Sequence, residues 1–250
     1  MEKGKFDKAF NSFCRLRMHP MQAARDMYYS FKLLEVEAGE REGKNRLKEM
    51  FTVLRNRRAT QSAFFVMFMQ QFCGVNVIAY YSTAIFQESG FTRSNALLVS
   101  FGTGAVNWLF AIPAIYTIDT FGRRNLLLVG FPLMAICLFW TGFSFWIPEN
   151  MANARLGSIA AGIFTFMAVY SPSEGPVPFT YSAEAFPLYI RDLGMSFATA
   201  TCWGFNFIIS FTWPVLLESW GPQAAFSWYA FWNIVSSPCY RTTCPALLTT

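Results

Sequence analysis

From Ala59 onward the chain is a succession of uncharged stretches: 59–87, 94–118, 125–148, 156–173 continuing past Glu174 to Ala183, 193–217, and 219–240. Each approaches or exceeds the roughly 20 apolar residues that carry a helix across the hydrocarbon core of a bilayer. Lipid offers backbone groups no hydrogen-bond partners, so at these lengths only helices satisfy their own N–H and C=O groups. The expected fold class is therefore all-α: a polytopic membrane protein whose six helices form a bundle, antiparallel in sequence because the links between them are short. Composition agrees, with 54% hydrophobic and only 14% charged residues, outside the range of ordinary soluble domains.

The net charge of +5 does not signal a nucleic-acid partner, because 14 of the 20 Lys and Arg precede Ala59 and acidic residues are mixed among them. Residues 1–58 read as a cytoplasmic region of amphipathic helices lying at the membrane surface, or as a solvated helix face without specific contacts. The links 119–124 and 184–192 hold 2 and 1 Lys or Arg, against 1, 1 and 0 in 88–93, 149–155 and 218–223. The bias places both the amino and the carboxyl ends in the cytoplasm. The chain thus divides into 1–58, a bundle over 59–240, and an atypical tail at 241–250. The last span is expected to be clipped, since Pro238 and Arg241 arrive after fewer apolar residues than its neighbours contain.

Polar residues inside the runs are the candidate chemistry, because burying them without partners is costly. Gln70, Gln71 and Asn76 stand at the centre of the first run, with Tyr80 one turn beyond Asn76. On a straight helix Gln70 and Gln71 lie about 120° and 140° around from Asn76, so the three amides converge only if the helix bends. Gly74 is the weak point at which it can. Amides offer donors and an acceptor without net charge, which suits neutral polyols; the alternative is that they hydrogen-bond neighbouring helices. Asn107 in the second run is a weaker candidate, while Trp203 and Asn206 in the fifth are either an aromatic platform and an amide facing a ligand or simple packing.

The fourth run contains Tyr170-Ser-Pro-Ser-Glu174-Gly-Pro176-Val-Pro178-Phe179. Three prolines and a glycine break the backbone at depth, which is tolerated only where protein or a cavity covers it. Glu174 is the acidic group inside that run: a functional candidate, or a residue facing water near the outer mouth. The link holding Asp119, Arg123 and Arg124 either anchors the next helix by contacts to lipid phosphates or pairs its charges with Glu184 and Arg191 of another link. Cysteines 73, 137 and 202 fall within apolar runs and read as small fillers. With a single histidine, His19, no metal centre or other cofactor is expected.

Taken in order, Gln70-Gln71-x-x-Gly74-x-Asn76-x-x-x-Tyr80-Tyr81, Asp119-x-x-Gly122-Arg123-Arg124, Pro176-x-Pro178 and Glu184-x-Phe186-Pro187-x-x-x-Arg191 resemble the carboxyl-terminal half of the sugar porter family of the major facilitator superfamily, in its fungal hexose and polyol type. The resemblance spans roughly residues 15–236. It implies transport of a monosaccharide or polyol by alternating access, not enzymatic chemistry. It implies further that Gln70, Gln71, Asn76 and Asn107 bind sugar hydroxyls, with Trp203 lining the cavity. Tyr80, Tyr81, Pro176 and Pro178 would serve gating, and Asp119, Arg123, Arg124, Glu184 and Arg191 a cytoplasmic charge lock.

Phe179 and Cys202 replace the Trp and Asn common at those places in hexose carriers, so the resemblance leaves the sugar unassigned. The expected setting is an integral membrane protein of the plasma membrane. Candidate partners are the sugar, the lipid bilayer, protons and a full-length transporter. The alternative function is a non-transporting fragment or a half-transporter interaction module, since the amino-terminal half of the family pattern is missing.

Overall fold

A computed structural model describes residues 6–17, 19–41 and 45–243, and among these it is built of helices and short links. Near the amino end, α1 (Phe6–Leu16) and α2 (Pro20–Arg41) pack on each other. The Phe6 and Phe31 rings meet edge to face and Arg17 pairs with Asp26 at 2.7 Å. Pro20 suits the first helical position of α2, where a missing N–H costs nothing. Helix α3 (Arg46–Thr52) begins at Asn45, whose side chain accepts a bond from the Lys48 amide. Arg46 ties α3 to Asp192, and Asn56 Nδ2 donates to the Tyr189 hydroxyl at 2.6 Å.

Five helical stretches among the described residues are long and apolar enough to cross a membrane: Leu54–Glu88, Arg93–Phe121, Arg123–Ser144, Ala152–Ala185 and Leu188–Pro238. Two of them are broken, as the sequence suggested. The first consists of α4 (Leu54–Phe72) and α5 (Val75–Glu88), meeting at Gly74 with φ of 95°. The fourth consists of α8 (Ala152–Ser173) and α9 (Val177–Ala185), separated by Glu174-Gly175-Pro176. Between them run α6 (Arg93–Phe121) and α7 (Arg123–Ser144).

The last helical stretch, α10 (Arg191–Thr243), has 53 residues, about 80 Å at 1.5 Å per residue, far more than a bilayer core of about 30 Å. Gly221, with φ of 76°, folds it into arms 191–220 and 222–243. The two arms correspond to the last two apolar runs, 193–217 and 219–240. The second arm does not stop at Pro238, where the sequence suggested clipping; it remains helical to Thr243. Of the tail, residues 244–250 lie outside the described residues.

Helix α10 packs against α7 and α4, and α8 lies against both α7 and α6. The core between them holds Phe131 and Met134 of α7, Ile163 and Phe166 of α8, and Trp213 and Phe226 from the two arms of α10. A second cluster joins Met50, Ala63 and Met67 to Phe186, Ile190, Ala198 and Cys202. Small residues let the backbones approach: a Cβ on Gly130 would stand 2.6 Å from the Ser173 hydroxyl across the α7–α8 contact. The opposite faces carry exposed Phe101, Trp108, Ile115, Phe207 and Phe211, the pattern of helices solvated by lipid or covered by apolar protein.

Candidate substrate-binding site

The break at Gly74 does what a straight helix could not. It turns Asn76, at the start of α5, back over the end of α4, so that Asn76 Nδ2 donates to Gln71 Oε1. Gln71 Oε1 also accepts from Asn206 Nδ2 at 3.3 Å, and Gln71 Nε2 donates to Gln70 Oε1 at 2.9 Å and to Cys202 Sγ at 3.0 Å. The Cys202 thiol lies 3.5 Å from Gln70 Oε1, closing the ring. Gln70 and Gln71 are buried, Asn76 and Asn206 half-buried, so the cluster runs from the protein interior toward an accessible face.

The broken backbone leaves carbonyls at the end of α4 that helix continuation would otherwise satisfy. The Cys73 thiol donates to the Gln70 carbonyl at 2.8 Å, and Asn233 Nδ2 donates to the Cys73 carbonyl at 3.0 Å. Sequence reasoning did not single out Asn233, although the signal that marked Gln70 was there too: one amide within an apolar run.

Other sequence candidates fall in different places. The Asn107 side chain does not join the cluster; its backbone carbonyl accepts the Ser171 hydroxyl at 2.6 Å, tying α6 to the end of α8. Trp203 is 62% exposed on α10, three residues before Asn206. Tyr80 is 55% exposed, whereas Tyr81 turns inward and its hydroxyl donates to the Ser210 carbonyl at 2.8 Å. Ser210 lies four residues before Pro214, which has no N–H to complete the helical bond. Tyr81 therefore supplies the donor the proline lacks.

Pro176 caps α9 and Pro178 lies buried in its first turn, where proline is well tolerated. Glu174, in the preceding link, is fully buried instead of facing water, and its carboxyl oxygens find no hydrogen-bond partner among the described residues.

At the other end of the bundle Arg123 pairs with Asp119 at 3.0 Å and with Glu184 at 3.1 Å, joining the α6–α7 link to α9. Arg191 donates instead to the Phe186 carbonyl at 3.4 Å, and Arg124 Nε has no hydrogen-bond partner among the described residues. The ion pairs formed are thus centred on Arg123.

Residues 1–247 match the family model described as "Sugar (and other) transporter". The chain belongs to the sugar porter family of the major facilitator superfamily. Its relatives are transporters, not enzymes. It is 34% identical over 244 residues to the myo-inositol transporter 2 of Schizosaccharomyces pombe, covering 92% of this chain and 43% of that protein. It is also 34% identical over 190 residues to the arabinose-proton symporter of Escherichia coli K12, covering 74% of this chain and 40% of the relative.

Among solved structures, a double-Trp mutant of XylE superposes with a TM-score of 0.76 at 25% identity, over 97% of this chain and 49% of that one. The proton:xylose symporter XylE bound to 6-bromo-6-deoxy-D-glucose shares the fold, with a TM-score of 0.73 at 24% identity, over 96% of this chain and 49% of that one. The chain therefore spans about half the length of the sugar porters it matches.

Proposed function

We propose that this chain forms the second bundle of a carrier that moves a monosaccharide or polyol across a membrane by alternating access. The observation that carries the reading is the amide ring of Gln70, Gln71, Asn76 and Asn206 at a helix break. Each amide can exchange a bond to its neighbour for one to a sugar hydroxyl, which also donates and accepts. Relatives named as myo-inositol transporters and as an arabinose-proton symporter support a neutral polyhydroxyl cargo, and the symporter names support protons as a second cargo.

On this reading residues 59–240 form the bundle, the cluster is one wall of the binding cavity, and a first bundle supplies the other wall. Broken α8–α9, with Pro176 and Pro178, is the moving element, and Tyr80 and Tyr81 act at the outer side. The Asp119–Arg123–Glu184 group holds the cytoplasmic side closed, with Arg124 and Arg191 beside it. On the same reading the cationic flank at 1–58 and the carboxyl end, six spans later, face the cytoplasm, and the membrane is the plasma membrane.

The test is uptake of labelled myo-inositol and D-xylose by transporter-null yeast. Residues 1–250 alone are expected to give none; a fusion to a complete first bundle is expected to restore it, and Gln71→Ala or Asn76→Ala in the fusion to weaken apparent affinity. Uptake by residues 1–250 alone overturns the half-cavity reading, and unchanged affinity in both variants overturns the amide assignment.

A further inference from the structure

We propose that Asn233 is a positioning residue for the amide cluster: the last helical arm grips the break at Gly74 and thereby sets the angle between the helices that present Gln70, Gln71 and Asn76. The inference rests on the sugar-binding reading for its functional consequence, but its geometry stands apart from any ligand.

Three contacts from arm 222–243 meet the broken first span within about a turn and a half of the break. A Cβ added to Gly74 would stand only 3.3 Å from the Tyr229 Cβ, so the absence of a side chain there lets the arm approach. Asn233 Nδ2 donates to the Cys73 carbonyl at 3.0 Å and to the Tyr229 carbonyl at 2.8 Å. The Ser236 hydroxyl donates to Met69 Sδ at 2.9 Å. These side chains lie at helical spacing on one face of the arm, and Tyr229, Asn233 and Ser236 are all buried.

Asn233 is the strongest of the three grips because both of its neighbours are carbonyl oxygens. Only an amide N–H₂ offers two donors from a neutral side chain of this length. One donor returns to its own helix and the other crosses to the carbonyl that the break has freed. Without the cross-link, the Cys73 carbonyl is left buried and unpaired, and the α4–α5 angle loses the contact that selects it. Asn76 would then drift from Gln71, although no residue touching the ligand has changed.

Two variants separate this role from ordinary stabilisation. Asn233→Leu keeps the volume and removes both donors. In Asn233→Thr the hydroxyl bonds back to the Tyr229 carbonyl one turn earlier, so that only the bridge to Cys73 is lost. Spin labels at exposed positions 61 and 87, one on each side of the break, report the α4–α5 geometry in the full chain in lipid nanodiscs, without ligand. Equilibrium binding of labelled myo-inositol and D-xylose to the fusion with a first bundle, below the melting temperature of each variant, reports the site.

The expected result is a shifted or broadened distance distribution in both variants and affinity about five- to tenfold weaker, the scale of one lost hydrogen bond. A lower melting temperature with unchanged distances and affinity within twofold of wild type assigns Asn233 a merely structural role and overturns the proposal. Should the unsubstituted fusion bind neither sugar, the sugar-binding reading fails on its own, and the distances alone decide the grip: altered distances support it, unaltered ones overturn it.

Discussion

Replacing Gly74 by alanine tests whether the first span is broken by design of its backbone or merely bent by its neighbours. Gly74 has φ of 95°, a conformation that costs a residue with a Cβ about 1–3 kcal/mol. The new methyl would also stand 3.3 Å from Tyr229 Cβ and 3.6 Å from Leu138 Cδ1, a tight contact with a buried neighbour that adds about 1 kcal/mol. Reduced freedom of the unfolded chain returns about 0.4–1 kcal/mol, leaving a net destabilisation of about 1–3.5 kcal/mol.

Gly221→Ala meets the same backbone penalty at φ of 76°, but faces only the movable end of Gln223 at 3.3 Å, so about 1–2 kcal/mol is expected. Gly104→Ala lies within α6 with nothing within 4 Å and should be neutral or stabilising by up to about 1 kcal/mol. Equilibrium unfolding in mixed detergent micelles, followed by tryptophan fluorescence, gives the order. If Gly74→Ala is no more destabilising than Gly104→Ala, the left-handed break is not the conformation the chain adopts.

Tyr81→Phe should cost about 1–3 kcal/mol in the same unfolding assay, because it orphans the Ser210 carbonyl that Pro214 cannot serve; Pro214→Ala in the Tyr81→Phe background should recover part of that loss, and no recovery would refute the pairing. For the charge group, the Arg123 and Glu184 side chains are 27% and 47% exposed, so solvent screens their attraction. A double-mutant cycle on Arg123→Ala and Glu184→Ala is expected to give a coupling of at most about 1 kcal/mol, and zero coupling would remove Glu184 from the cytoplasmic closure.

The helical membrane fold was legible because uncharged runs of this length admit one backbone solution in lipid. Both breaks were legible too, from Gly74 and from the Pro-rich stretch around Glu174, since glycine and proline act on the backbone locally. Partners were less so. The sequence places Asn206 and Trp203 three residues apart on one helix, and only packing against α4 decides that Asn206 reaches Gln71 while Trp203 stays exposed. Asn107 had the same polarity as Gln71, yet the bond it makes is through its backbone carbonyl, to the Ser171 hydroxyl of α8. Cys202 looked like an apolar filler, yet its thiol bonds two glutamines. Asn233 escaped notice because its role depends on a carbonyl 160 residues away.

The wiring of the amide cluster also sets what the proposed site can distinguish. Gln71 uses both donors, to Gln70 and Cys202, and both acceptor positions, from Asn76 and Asn206, so it is saturated before any ligand arrives. A cargo can enter only by exchange, replacing each bond it displaces. A hydroxyl replaces either kind, since it donates and accepts, whereas a C–H at the same position breaks a buried bond and supplies none. That loss is worth about 1–3 kcal/mol, or about a 5- to 150-fold drop in affinity. Competition by single-position deoxy analogues of myo-inositol against the labelled parent, in the fusion with a first bundle, is therefore expected to show at least one hydroxyl whose removal has an effect of that size, and Gln71→Ala should erase that discrimination along with part of the affinity. Deoxy analogues that compete as well as the parent at every position would mean that the amides bind one another and nothing else.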